Sequence, residues 1–128
     1  MSMLAILLGA ALGLGLVFAV MRLPARAGRL GLLLIIAAFY PAFAIMAEDI
    51  AALVLHCVVL ALFAALGWIT WKSGPSALAL AILAHGVFDA VLHVSGHHIG
   101  PAWWPEFCAA VDITLGFGLL WCDRKAGR

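Results

Sequence analysis

The sequence predicts an all-α fold: a single transmembrane domain over residues 1–128 with five helical spans, the N-terminus outside and the C-terminus cytoplasmic. Three observations predict it. Hydrophobic residues make up 67% of the chain and charged residues 10%, too few charges to coat the surface of a soluble domain of this size. The apolar stretches have the length of spanning helices, about 17 to 25 residues, and do not alternate with the period of two that barrel strands need. Backbone polar groups in hydrocarbon must be satisfied within the chain, which helices do span by span.

The first span covers residues 3–21. It has no basic segment ahead of it and stays apolar throughout, so it reads as a helix and not as a cleaved leader. Gly9, Gly13 and the nearby Gly15 give it a small-x-x-x-small face, which suits close packing within the chain or, as an alternative, a homo-oligomer. The second span covers residues 30–46, with Pro41 inside it, and the third residues 50–71. The fourth covers residues 76–94 and the fifth residues 107–121. The connections are residues 22–29, the corner at 47–49, residues 72–75 and the longer stretch 95–106.

Charge placement orients these spans. Arg22, Arg26 and Arg29 follow the first span, Lys72 the third, and Arg124, Lys125 and Arg128 the fifth, whereas Glu48, Asp49 and Glu106 lie in the other two connections. All seven basic residues therefore fall on one side, which the positive-inside rule makes the cytoplasm. The expected location is a bacterial inner membrane. Trp68, Trp71 and Trp121 then mark the inner interface, and Trp103 and Trp104 the outer one.

His85, Asp89 and His93 stand out within the fourth span. Positions i, i+4 and i+8 fall within roughly 80° of one helix face and span about 12 Å along it. Ionisable groups inside a span are costly unless they face protein, water or a bound ion. The topology brings Cys108 and Asp112 from the fifth span, His56 from the third and Tyr40 from the second into the same outer half, with Glu48 at its rim. The inner half offers little beyond Thr70 and Thr114. The expectation is a polar cavity open to the extracytoplasmic side above an apolar floor.

Imidazoles with nearby carboxylates form the ligand set of a catalytic zinc or similar divalent ion, which keeps one position open for water. The ion acidifies that water, and a spare carboxylate takes its proton. The expected ligands are His85 and His93, with His56 or Asp112 as the third. Asp89, Asp112 and Glu48 are the carboxylates for catalysis; Asp89 is the base or the partner that orients a histidine. Tyr40 and Cys108 complete the polar set. His85 and Asp89 chelate without distortion at i, i+4, while His85 and His93 are two turns apart. Structural readings stay open beside these: His56 as a hydrogen-bonded core histidine, Tyr40 with Asp112 as an interhelical pair, Glu48 and Asp49 as solvated corner residues, His97 and His98 as loop residues. Three cysteines at three depths imply no disulfide framework.

The stretch His85-Gly-Val-Phe-Asp89-Ala-Val-Leu-His93-Val-Ser-Gly96, then Ile99-Gly-Pro101 and Cys108-Ala-Ala-Val-Asp112, resembles the C-terminal half of a family of small bacterial membrane proteins known only as a domain of unknown function. That family's pattern is His-x-x-x-Asp followed by a His pair, a Gly-x-x-Ile turn and Cys-x-x-x-Asp. His85, Asp89, His93, Gly96, Ile99, Cys108 and Asp112 match it; Leu92 stands where the first histidine of the pair would be. The resemblance brings no established activity.

The expected function is metal-dependent hydrolysis of a lipid or other amphipathic substrate. Alternatives of other classes are a b-type haem held by His56 and His85, metal-ion transport, and a structural accessory subunit. Nothing in the chain resembles a nucleic-acid binder, a P-loop or a dinucleotide fold.

Overall fold

The computed structural model describes residues 2–97 and 99–127. His98, read above as a loop histidine, and Arg128, read as an inner-side charge, lie outside the described residues. Five helices form: α1 (Met3–Met21), α2 (Ala25–Met46), α3 (Ile50–Ser73), α4 (Pro75–Ser95) and α5 (Trp104–Lys125). All five are long and apolar enough to cross a membrane.

Two helices start earlier than expected. α2 begins at Ala25, directly after Pro24, so Arg26 and Arg29 belong to its first turns and not to a connection. α5 begins at Trp104 with Pro105 in its first turn, where a missing backbone N–H leaves no intrahelical bond unmade. The connections are correspondingly tight. Gly74 alone joins α3 to α4 with φ +119, a conformation that side chains with a Cβ rarely adopt. The α2–α3 corner turns at Glu48, φ 54, and the Asp49 carboxylate caps α3 by accepting from the Ala52 N–H at 3.0 Å.

Small residues set the helix pairing. A Cβ on Gly9 would meet the Phe107 carbonyl and Ala110, and one on Gly13 would meet the Val111 carbonyl and Thr114, so α1 runs parallel to α5. Gly86 faces Asp112 and Ile113, and Gly116 faces Leu83 and the Ala79 carbonyl, so α4 runs antiparallel to α5. α5 therefore lies between α1 and α4, while α3 packs only on α2 and α4. The glycine face of α1, offered by the sequence as an oligomer contact, is covered by α5 through Gly9 and Gly13. Gly15 has no atom within 4 Å of where its Cβ would be.

The up-and-down order gathers Arg22, Arg26, Lys72, Arg124 and Lys125 at one end of the bundle and Glu48, Asp49 and Glu106 at the other. At the acidic end Glu106 accepts the Ser2 N–H at 2.8 Å. An apolar core of Val17, Val20, Leu33, Ile36, Ala79, Ile82, Leu115 and Leu119 fills the half nearer the basic end. That half is not purely apolar, as the sequence had suggested. Arg29 is 1% exposed and donates to both oxygens of Asp123 at 2.6 and 2.7 Å and to the Pro75 carbonyl at 2.8 Å. Ser76 donates to the same carboxylate at 2.8 Å. One guanidinium thereby ties α2, α4 and α5 together.

Candidate functional site

The i, i+4 spacing on α4 places His85 and Asp89 one turn apart on the face turned to α5. Gly86 on that face lets α5 approach until a Cβ there would lie 3.0 Å from the Asp112 Cβ. The close approach brings Asp112 Oδ2 to 2.8 Å from His85 Nδ1, and Asp89 Oδ2 lies 3.3 Å from the same nitrogen. One ligand atom from each of the three residues lies within 4.8 Å of the others. His85, Asp89 and Asp112 are 1%, 0% and 0% exposed.

Around this trio the other helices supply rings. Tyr40 on α2 faces Asp89, with Cys108 and Asp112 close enough to act on it electrostatically, and it stacks on His56 of α3 at 5.2 Å between centroids. Phe63 packs edge-on against His85 at 4.7 Å, and Phe88 touches both His85 at 5.7 Å and Tyr40 at 6.0 Å. The ring path from His56 to His85 thus runs through Tyr40 and Phe88. Cys108, one turn from Asp112 on α5, is buried beside both aspartates.

The sequence suggested a cavity open to the outer side; the centre is enclosed instead. Its cover at the acidic end is aromatic. Trp104 lies 5.0 Å from both Phe39 and Phe43, and a Cβ on Gly100 would run into the Phe43 ring. Beneath that cover, among the described residues, His56 Nδ1, His85 Nε2 and Asp112 Oδ1 are buried without a hydrogen-bond partner, while Asp89 is held only by the 3.3 Å approach of His85 and by the facing Tyr40. Each unpartnered group costs about 1–3 kcal/mol, and more when charged, so their concentration in one place marks a site built around something further.

The remaining sequence candidates lie apart from the trio. His93 is one turn beyond Asp89, partly exposed, with Nε2 3.9 Å from Glu106 Oε2, and two helical turns separate it from His85. His56 reaches the trio only through Tyr40. Glu48 is exposed at the α2–α3 corner, beside Ala44, Ile45 and Leu53. Asp112 is the residue that stands third with His85 and Asp89. Arg29, Asp123, Phe63 and Phe88 were not singled out from the sequence. The two charges lie near span ends, where a charge reads as interfacial, and phenylalanines in an apolar helix give no signal at all.

Fold and centre together define a class: a five-helix bundle of membrane-spanning proportions with an enclosed His-Asp-Asp group. No family model, curated protein or solved structure matches the chain. The chemistry of the centre rests on its own geometry.

Proposed function

We propose that the chain is an integral protein of a bacterial inner membrane, N-terminus outside, whose His85–Asp89–Asp112 centre binds a divalent cation, zinc foremost, and hydrolyses a lipid or other amphipathic substrate. The observation that carries this reading is the convergence of the three side chains amid unpartnered buried oxygens and nitrogens. A zinc ion takes N and O ligands at about 2.0–2.2 Å. His85, Asp89 and Asp112 each offer one such atom within 4.8 Å of the others, close enough that the three could turn to one ion in place of the His85–Asp112 hydrogen bond. Charge points the same way, because two buried carboxylates beside one imidazole are offset best by a cation.

When bound, the ion would supply Lewis acidity and lower the pKa of a coordinated water. His85 and Asp112 would hold the ion as ligands, with Asp89 completing the centre beside it. Asp89, whose Oδ2 lies 3.3 Å from His85 Nδ1, would take a proton from the attacking water, and the Tyr40 hydroxyl facing it is placed to hydrogen-bond the carboxylate. Haem is the weaker fit, since the rings of Tyr40 and Phe88 occupy the path between His56 and His85. The gathering of basic residues at one end of the bundle supports the proposed orientation.

Metal analysis and absorption spectroscopy of the purified protein test this reading. Zinc should co-purify or be taken up stoichiometrically, and His85→Ala should lose both the metal and hydrolysis. Asp89→Asn should retain more metal than His85→Ala while losing turnover. A folded, colourless wild-type protein that takes up no zinc would overturn the metal and haem readings together.

A further inference from the structure

Along the helix axes the His85–Asp89–Asp112 centre is flanked on both sides by packed side chains. Toward the basic end lies the packed core around Leu33, Ile82, Leu115 and Leu119, each 0% exposed. Toward the acidic end lies the cluster of Trp104, Phe39 and Phe43. Sideways, between α3 and α4, the wall is one ring thick.

That wall consists of Phe63 and Phe88, whose rings lie 5.8 Å apart. Their inner sides touch His85, and their outer sides line a groove of about 330 Å³ with Val59, Leu62, Leu66 and Ala84. The spacing of Val59, Leu62, Phe63 and Leu66 puts them on one face of α3. Along α3 only His56 and Gly67 are buried among the described residues, so most of its face beside the groove is left open. Both phenylalanines are half-buried, and rotamer changes of side chains that are not locked in a core occur on the ps–ns scale.

Depth then selects what can pass. His85 lies midway along α4, about 15 Å from either helix end at 1.5 Å per residue, and so near the centre of a hydrocarbon layer about 30 Å thick. A substrate carrying a charged headgroup would have to draw that charge into hydrocarbon, at a cost that keeps charges out of lipid-facing positions. A lipid whose reactive group is uncharged meets no such barrier.

We propose that the centre is reached laterally from the bilayer through Phe63 and Phe88, and that its substrate is an uncharged, membrane-dissolved lipid with an ester group at mid-membrane depth. The substrate assignment rests on the hydrolytic metal reading above; the passage does not. One water is consumed per ester. Its oxygen bonds to the acyl carbon, the bond from that carbon to the alcohol oxygen breaks, and the proton taken up by Asp89 passes to the departing alcohol oxygen. Acid and alcohol are the products.

The test uses the intact protein in lipid nanodiscs with two photoactivatable probes: a long-chain methyl ester with a diazirine beside its carbonyl, and a phosphatidylcholine with the diazirine at the same place. The methyl ester should label Tyr40 or His85, and the phosphatidylcholine only residues near the helix ends. Phe63→Ala should raise interior labelling severalfold and Phe63→Trp should lower it, with bound zinc unchanged in both. Phe63→Leu and Phe88→Leu, closer in volume, give the same ordering if either of the first pair fails to fold. Labelling confined to outward residues, interior labelling equal for the two probes, or labelling indifferent to the size of residue 63 would each overturn the proposal. Zinc bound without interior labelling sinks the lateral passage and leaves the metal centre standing. Interior labelling in protein that binds no zinc upholds the passage and sinks the metal centre.

Discussion

Arg29 shows how position within a helix decides what a charge does. Placed in a connection it would meet water; in α2 it is buried against Asp123 in a bidentate pair with Ser76 on the same carboxylate. Removing one member of a buried pair strands the other, at about 3–5 kcal/mol, whereas replacing both with apolar residues of similar volume is often nearly neutral. Arg29→Ala and Asp123→Ala should each lower stability by that order in denaturant titrations of the micelle-bound protein, and Arg29→Met with Asp123→Leu should recover most of the loss. The sequence made His85 and Asp89 legible because a four-residue spacing in an apolar helix has one structural meaning. Asp112 was legible as a neighbour from depth alone. That it stands in the trio while His93 does not follows from the close α4–α5 approach at Gly86, and side-chain reach across two helices is not written in either one.

α5 packs against α1 on one side and α4 on the other, and that packing depends on glycines that look interchangeable in sequence. Gly13 and Gly15 are two residues apart, yet a Cβ on Gly13 would lie 2.8 Å from the Val111 carbonyl while one on Gly15 meets nothing within 4 Å. Gly13→Leu should therefore force α1 away from α5 and lower the unfolding temperature in detergent, a loss on the order of the 1–3 kcal/mol of overpacked cores. Gly15→Leu should leave it unchanged. Equal effects at both positions would mean that α1 packs on another face. The five spans themselves were legible from apolar length and charge placement. The start of α2 was not, because Arg26 and Arg29 read as interfacial charges outside the span, and the start of α5 was missed although Pro105 is a residue that favours the first helical turn.

For the whole molecule, orientation in the bilayer is the property from which most others follow. Single cysteines introduced at Arg26 and Lys72 should resist a membrane-impermeant thiol reagent added outside, in a background with Cys57, Cys108 and Cys122 replaced. Cysteines at Ser2, Glu48 and Gly100 should react with it. Outside reactivity at Lys72 would invert the bundle and place the acidic end in the cytoplasm. The Arg29–Asp123 pair also has a consequence in time. Its partners lie 94 residues apart, and ribosomes add about 5–20 residues per second, so Arg29 waits roughly 5–20 s for its carboxylate while the intervening helices are made. Throughout that interval the nascent protein holds an unmatched guanidinium near the bilayer boundary, and α1 lacks the helix it packs against most extensively. The arrival of Asp123 ends that interval, because only then can the guanidinium be buried against its carboxylate.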